Sequence, residues 1–134
     1  MHIEVTSDVV DTMHCAVGEE YPREACGILF GQGNRISAFI KARNVHKSPE
    51  THFEIDPQAL INVHRSAREG GPQIVGYFHS HPRGQAKPSK TDQQFSSRDG
   101  RIWAIWGDGE VRFWRDGENG FESLTHSIMA DKSC

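Results

Sequence analysis

The sequence predicts one domain of the α/β (α+β) class, spanning residues 1–134, in which a central mixed β-sheet is covered by helices. A length of 134 residues suits a single hydrophobic core. Segments with helical spacing alternate with short apolar runs, and the end of the chain is rich in strand patterns. That order of elements is typical of a mixed sheet packed against helices.

A helix and two strands are predicted in the first 45 residues. Ser7–Glu20 carries apolar residues at helical spacing, with Ser7 as the expected N-cap and Pro22 limiting the far end. Residues 24–31 (EACGILFG) form an apolar run that is too short for a helix, which indicates a buried strand. A glycine-rich turn then leads into residues 35–45, which predict the returning strand.

A second helix, a strand and a short third helix are predicted next. Asp56 and Pro57 suit the N-cap and N1 positions of a helix. Its buried face is expected to contain Leu60, Val63 and Ala67. Residues 73–78 are apolar at nearly every position, so we expect this strand to be central in the sheet. Residues 89–97 could form a short helix.

The last part of the chain predicts a β-hairpin and a final strand. Residues 102–106 and 111–114 flank an Asp-Gly pair, which supplies the positive φ angles of a tight turn. A final strand is expected near residues 121–128. The aromatic residues of the hairpin are expected in the core or in cross-strand pairs, namely Trp103, Trp106, Phe113 and Trp114.

Composition and charge argue against several classes of protein. A net charge of −3, with scattered basic residues, gives no electrostatic reason to expect nucleic acid as a partner. We expect a cytoplasmic protein that does not bind membranes, because the chain lacks the ~20-residue apolar run of a membrane span and the pattern of a signal peptide. Three cysteines without paired spacing indicate apolar fillers or a free tail thiol: Cys15, Cys26 and Cys134. The sequence gives no prediction of the oligomeric state.

Two histidines lie one residue apart where the strand predicted at 73–78 runs into a loop. Alternate side chains of a strand share a face, so His79 and His81 project together while Ser80 points away. Their Cα atoms would be roughly 6.6 Å apart, from which both imidazoles can reach one ion. Ordinary core or surface histidines remain the alternative. The other six histidines have no such partner and are interpreted as ordinary: His2, His14, His46, His52, His64 and His126.

Ser89 and Asp92 have two compatible interpretations. Ser89 suits a helix N-cap, and Asp92 would favour the positive end of that helix. The same helix start could bring Asp92 over His79 and His81 as a third ligand. Two histidines and one carboxylate leave a position for water, which is typical of a catalytic zinc site.

Glu24 is the candidate proton acceptor of such a site. Hydrolysis needs a carboxylate that takes a proton from the attacking water and returns it to the leaving group. Glu24 stands at the start of an apolar strand, where a carboxylate has no stabilising role unless it faces a site. The alternative is an exposed acid at a strand end.

The pattern His79-x-His81, seven residues, Ser89, two residues and Asp92 resembles the signature of the JAMM (MPN-plus, JAB-domain) metalloproteases. The segment EACGILFG resembles the strand that carries the catalytic glutamate of that family. Residues 42–60 (ARNVHKSPETHFEIDPQAL) resemble its next strand, loop and helix. The resemblance extends from about Glu24 to Trp106.

The resemblance implies a cytidine-deaminase-like fold, with a central mixed sheet and helices on both sides. It implies that His79, His81 and Asp92 bind one zinc ion (Zn2+). It also implies that Glu24 is the general acid/base and that Ser89 helps to stabilise the oxyanion.

An activity and a substrate class are implied as well. The compact chain is similar to stand-alone prokaryotic members, which cleave amide bonds at the C-terminus of small ubiquitin-like or sulfur-carrier proteins. We therefore expect a zinc-dependent metallopeptidase or isopeptidase that acts on such a conjugate. The alternative is a non-catalytic binding or scaffold module of the MPN type. A zinc deaminase is rejected because its Pro-Cys-x-x-Cys motif is absent.

Overall fold

The computed structural model describes residues 1–130, so the prediction for Cys134 lies outside the described residues. The first half of the chain forms β1 (His2–Thr6), α1 (Ser7–Glu20), β2 (Cys26–Gln32), β3 (Arg35–Ala42) and α2 (Pro57–Arg68). The second half forms β4 (Ile74–Ser80), α3 (Lys90–Phe95), β5 (Ile102–Gly107), β6 (Glu110–Gly117) and β7 (Gly120–Met129).

The strands form one mixed sheet that closes on itself in the order β1-β3-β2-β4-β5-β6-β7. β4 and β5 are parallel, as are the pairs that β1 makes with β3 and β7, and the remaining neighbours are antiparallel. The predicted mixed sheet with helices is therefore confirmed. Closure by β1 was not predicted, because a five-residue strand that runs directly into a helix carries no turn signal of its own.

β2 and β4 are buried on both faces, which explains why both are apolar at nearly every position. One face packs against α1 in a core that includes Met13, Leu29 and Phe78. The other face packs under α2 and the loop before it, in a second cluster that includes Cys26, Ile28 and Ile55. β4 lies between β2 and β5, so its predicted central position is confirmed.

The two longer helices begin and pack differently from each other. α1 has the predicted range, but its N-cap is Thr6, whose Oγ1 accepts the amide of Val9 at 3.4 Å, and not Ser7. α2 begins as predicted, with Asp56 accepting the amide of Gln58 at 3.1 Å. The face predicted to be buried in α2 is only half-buried, because this helix rests on the outside of the sheet and leaves a cleft beneath its first turn.

The hairpin aromatics lie in or next to the core, whereas the two described cysteines differ in exposure. Trp103, Trp106 and Phe113 are buried, and the indole of half-buried Trp114 donates to the carbonyl of Ala86 at 3.1 Å. Cys26 is a buried filler, and burial raises the pKa of its thiol to about 12. The prediction that Cys15 is also an apolar filler is wrong, because Cys15 lies exposed on α1. No helix within residues 1–130 is long and apolar enough to cross a membrane.

The close approach of β5 to the loop after β4 can be tested by substitution of Gly107. A Cβ at this position would overlap main-chain atoms of Gly84, Gln85 and Ala86. Because main-chain atoms cannot swing aside, Gly107→Ala is expected to lower the free energy of unfolding by about 1–3 kcal/mol in urea denaturation. Gly18→Ala in α1 is the control, since its Cβ would meet no heavy atom within 4 Å. We expect it to stabilise the helix by up to about 1 kcal/mol, and equal effects of the two changes would contradict the packing argument.

Candidate functional site

The pairing of β2 with β4 brings Glu24 and the two histidines to one face of the sheet. Cys26 lies opposite His79 in this antiparallel pair, and continuing the register places Glu24 opposite His81. Ser80 points the other way. Its Oγ accepts the amide of Ala25 at 2.8 Å, and its own amide donates to the Ala25 carbonyl at 3.0 Å.

The first turn of α3 brings Asp92 over the histidine pair. Ser89 Oγ accepts the amide of Asp92 at 3.0 Å, and Asp92 Oδ2 accepts the amide of Ser89 at 2.9 Å. The predicted N-cap is therefore confirmed as a reciprocal capping box. Asp92 Oδ2 lies 3.1 Å from His79 Nε2 and 3.2 Å from His81 Nε2, and the two imidazole nitrogens are 3.1 Å apart.

These three atoms fit one divalent metal ion. Ligand atoms at ~2.0–2.1 Å from a tetrahedral ion are separated by about 3.3 Å, close to the observed spacing. His81 Nδ1 donates to the carbonyl of Gln85 at 2.8 Å, so a neutral His81 presents its lone pair on Nε2. That lone pair and the Asp92 carboxylate repel each other unless a proton or a cation lies between them. The three residues predicted from the sequence as ligands are thus brought together at a position that could hold a metal ion.

Glu24 belongs to the same cluster. A carboxylate oxygen of Glu24 and one ring nitrogen each of His79 and His81 all lie within 4.8 Å of one another. Asp92 is the better third ligand because its oxygen is only 3.1–3.2 Å from both nitrogens. Glu24 is 5% exposed, so its interpretation as an exposed strand-end acid is wrong.

The pKa values of the two carboxyl groups of the site are shifted in opposite directions. Burial raises the pKa of Glu24 to about 7, although His81 opposes the shift and Asp92 adds to it. Burial alone would also raise the pKa of Asp92. In the metal-free protein, hydrogen bonds from His79 and from protonated His81 outweigh that effect and hold the pKa of Asp92 well below its usual range.

The two histidines also differ. Burial lowers the pKa of His79, with partial opposition from Asp92. Burial acts in the same direction on His81, but hydrogen bonds to Asp92 and to the Gln85 carbonyl raise its pKa overall. In the metal-free protein, a proton that competes with the metal therefore binds His81 first.

Aromatic rings surround His79. Phe53 stacks on its imidazole with a centroid distance of 4.2 Å, and Trp103 meets it edge-on at 5.5 Å. The sequence interpretation missed Phe53, because contact between a loop residue and a strand 26 positions later leaves no local pattern. Ser80 could have been recognised, since the residue between two site-facing strand positions points at the neighbouring strand.

Two clefts meet at the site and share Glu24, Thr51 and Thr91. The first, about 550 Å³, is mostly apolar, with Tyr77 and Trp103 in its lining. The second, about 470 Å³, has a similar apolar share of surface, but its lining includes the polar or charged side chains of His81, Ser89, Arg83 and Lys87. His46 and His52, which the sequence did not place near a site, line the first cleft and stack on each other at 4.7 Å.

Comparison with known proteins places these observations in a family. The sequence profile described as prokaryotic homologs of the JAB domain matches residues 6–117. The desampylase of Pyrococcus furiosus is 36% identical over 92 residues, which cover 68% of this chain and 65% of the relative. The CysO-cysteine peptidase of Mycobacterium tuberculosis is 30% identical over 95 residues, which cover 69% of this chain and 64% of the relative.

The fold has close structural counterparts. The solution structure of a protein from Desulfitobacterium hafniense aligns with a TM-score of 0.83 and 23% identity, covering 98% of this chain and 94% of that one. At that identity the likeness shows the fold alone. The chain spans less than two thirds of the length of the two curated relatives described above.

The raised pKa of Glu24 predicts a pH-dependent effect of removing its charge. A folded pKa of about 7 lies above the usual 4.5, so ionised Glu24 destabilises the metal-free fold. That cost is absent below pH 4.5 and grows as the pH rises to about 7. Glu24→Gln is therefore expected to stabilise the metal-free protein by on the order of 1–3 kcal/mol at pH 8, and much less near pH 4.5.

Urea denaturation with a chelator, at both pH values, measures this difference. Glu118→Gln is the matched control, because it makes the same change at an exposed position in the β6–β7 turn. It should alter the free energy of unfolding by less than about 0.5 kcal/mol. A gain from Glu24→Gln that is equal at the two pH values would contradict the assignment.

Proposed function

This chain belongs to the family of prokaryotic homologs of the JAB domain, and we propose that it is a zinc-dependent metallopeptidase or isopeptidase. In this proposal it hydrolyses the amide bond at the C-terminus of a ubiquitin-like or sulfur-carrier protein within a conjugate. The observation that carries the proposal is the convergence of Glu24 with the His79, His81 and Asp92 ligand atoms where two clefts meet. The names of the relatives, desampylase and CysO-cysteine peptidase, support this substrate class.

Zinc is the ion that we propose for His79, His81 and Asp92. Two imidazoles and one carboxylate are a common donor set of catalytic zinc sites, which keep a fourth position open. When bound, the ion supplies Lewis acidity that acidifies the attacking water and polarises the scissile carbonyl.

Glu24 moves the proton. Its carboxylate accepts a proton from the water that attacks the scissile carbonyl, and it returns that proton to the leaving amine when the C–N bond breaks. In the metal-free protein burial raises the pKa of Glu24 to about 7, and a raised pKa suits a carboxyl group that both accepts and returns a proton.

Ser89 stabilises the negative charge on the carbonyl oxygen. Its Oγ already accepts the Asp92 amide, which leaves the hydroxyl hydrogen as a donor, and Ser89 lines the second cleft. A donor aimed at the developing oxyanion is typically worth 10²–10³ in turnover.

The two clefts suit a substrate that continues on both sides of the scissile bond. The first cleft, about 550 Å³, receives one side of the conjugate, and the second cleft, with Arg83 and Lys87 in its lining, receives the other. Both clefts include Glu24 and Thr51, so a chain that crosses from one to the other passes the proton acceptor.

The proposed activity is tested with the zinc-loaded protein and carrier proteins whose Gly-Gly tail is amide-linked to an amine. Intact-mass spectrometry should detect the free carrier with the wild-type protein. Under matched zinc loading, Glu24→Gln should lower turnover by about 10²–10⁴-fold, because general acid/base catalysis contributes that much. Stoichiometric zinc without hydrolysis of any conjugate would favour the non-catalytic binding module instead.

Ser89→Ala and Ser89→Thr separate the two roles of this residue. Alanine removes both cap and hydroxyl donor, so we expect a loss of about 10²–10³ in kcat and about 1 kcal/mol of stability. Threonine keeps a capping hydroxyl, so it should retain most of the stability and a measurable share of the activity. If Ser89→Ala hydrolyses conjugates at the wild-type rate under matched zinc loading, Ser89 does not stabilise the oxyanion.

A further inference from the structure

Asn44 organises the loop at residues 43–56, which connects β3 to α2. Its Oδ1 accepts the amides of His46 and Glu54, both at 3.1 Å. A carboxamide oxygen has two lone pairs, so this acceptor is fully used. One side chain thus binds both the start and the end of the loop.

The carboxamide nitrogen of Asn44 reaches the other side of the loop and the catalytic strand. Nδ2 donates to the carbonyls of Glu24 and His52, both at 3.0 Å, and lies 3.4 Å from the carbonyl of Pro49. Both N–H donors of the carboxamide are therefore engaged. The four bonds of the Asn44 side chain and its longer contact with Pro49 all go to main-chain atoms, so it determines the path of the chain.

The main chain of Glu24 is held at both of its polar groups. Its amide donates to the carbonyl of Pro49 at 2.7 Å, and its carbonyl accepts from Asn44. The regular β2–β3 ladder begins only at Cys26, which lies opposite Ala42. Asn44 and the loop take over the role of β3 as the partner of this strand end.

The same loop builds the surroundings of the metal ligands. It carries Phe53, whose ring stacks on His79 at 4.2 Å, and Thr51, which lines both clefts. A shift of this loop therefore displaces Glu24 together with the walls of the site.

We propose that Asn44 is a positioning residue that holds Glu24 in register with the three metal ligands. Its carboxamide joins the Glu24 main chain and the loop into one unit, so that the carboxylate keeps its place beside His79 and His81. This inference rests on the proposed function, in which Glu24 moves the proton. Misplacement of a reacting group by about 1 Å can cost about 10²-fold in rate.

Asn44→Asp distinguishes the role of the carboxamide oxygen, which accepts hydrogen bonds, from that of the carboxamide nitrogen, which donates them. It keeps an Oδ1 that can accept the amides of His46 and Glu54, and it replaces the N–H donors with an oxygen that faces carbonyl oxygens. We expect kcat to fall by about 10²-fold, with KM changed less than about threefold and zinc content unchanged. Asn44→Ala removes both halves and should lower kcat at least as much.

Asn34→Asp is the matched control. Asn34 Nδ2 also donates to a main-chain carbonyl, that of His2 at 3.0 Å, in the turn between β2 and β3. The same substitution there breaks an equivalent bond outside the site, so kcat should remain at the wild-type value. If Asn44→Asp does not fold, Asn44→Ser is tested in its place, with the expectation given for Asn44→Ala, because its shorter side chain lacks both halves of the carboxamide.

Amide hydrogen exchange by NMR on the zinc-loaded protein gives a readout that does not depend on activity. In Asn44→Asp the Glu24 amide should exchange at least about tenfold faster, while the His46 and Glu54 amides stay protected. In Asn44→Ala all three should exchange faster. Asn34→Asp should leave all three unchanged.

The combined outcomes decide the proposal. A loss of kcat together with faster exchange at Glu24 supports positioning by Asn44. Wild-type kcat in Asn44→Asp, or unchanged exchange at Glu24, overturns it. If the wild-type protein cleaves no conjugate, the proposed function fails by itself, and exchange at Glu24 alone decides whether Asn44 holds that residue.

Discussion

The register between β2 and β4 is the constraint on which the site depends. Cys26 opposite His79 places Glu24 beside His81, and the two bonds between Ser80 and Ala25 hold this register past the last pair of the ladder. A slip by one residue would turn every side chain of one strand to the other face and separate Glu24 from the histidines. Both strands are buried on both faces, so such a slip would also disrupt two apolar clusters.

The site places two carboxyl groups in one buried space and shifts their pKa values in opposite directions. Asp92 accepts hydrogen bonds that stabilise its ionised form, so the pKa of Asp92 stays low. Burial dominates at Glu24 and raises its pKa to about 7. Environments that move the pKa values of two acids apart are how proteins assign a permanent anion and a proton carrier. The division of roles proposed for Asp92 and Glu24 thus follows from hydrogen bonds at the first and burial at the second.

Sequence alone predicts the parts of this site that are encoded locally. Strand alternation places His79 and His81 on one face, and cap preferences identify Ser89 and Asp56 as helix starts. Contacts between distant segments leave no such pattern. Closure of the sheet depends on β1 meeting β7 across the whole length of the chain, and Phe53 reaches His79 from a loop. The carboxamide of Asn44 bonds to the strand end at Glu24 and to both ends of its own loop, and these contacts are visible only in the folded structure.

The proposed third ligand, Asp92, lies on the element that has the least stability of its own. A six-residue helix such as α3 cannot form without tertiary support, so the direction of Asp92 depends on what holds the two ends of the helix. The capping box with Ser89 holds the first end. Beyond the second end, buried Asp116 accepts the amides of Ser97 and Arg98, both at 3.1 Å, and keeps Arg98 in a left-handed conformation with φ 53°.

Asp116 supports this turn at an energetic cost. Burial raises the pKa of Asp116, and its Oδ1 has no hydrogen-bond partner among the described residues. A buried acceptor without a partner typically costs about 1–3 kcal/mol. The fold tolerates that cost because the other oxygen fixes the turn that follows α3. The histidines therefore come from a rigid central strand, whereas the position of Asp92 depends on polar contacts at both ends of a short helix.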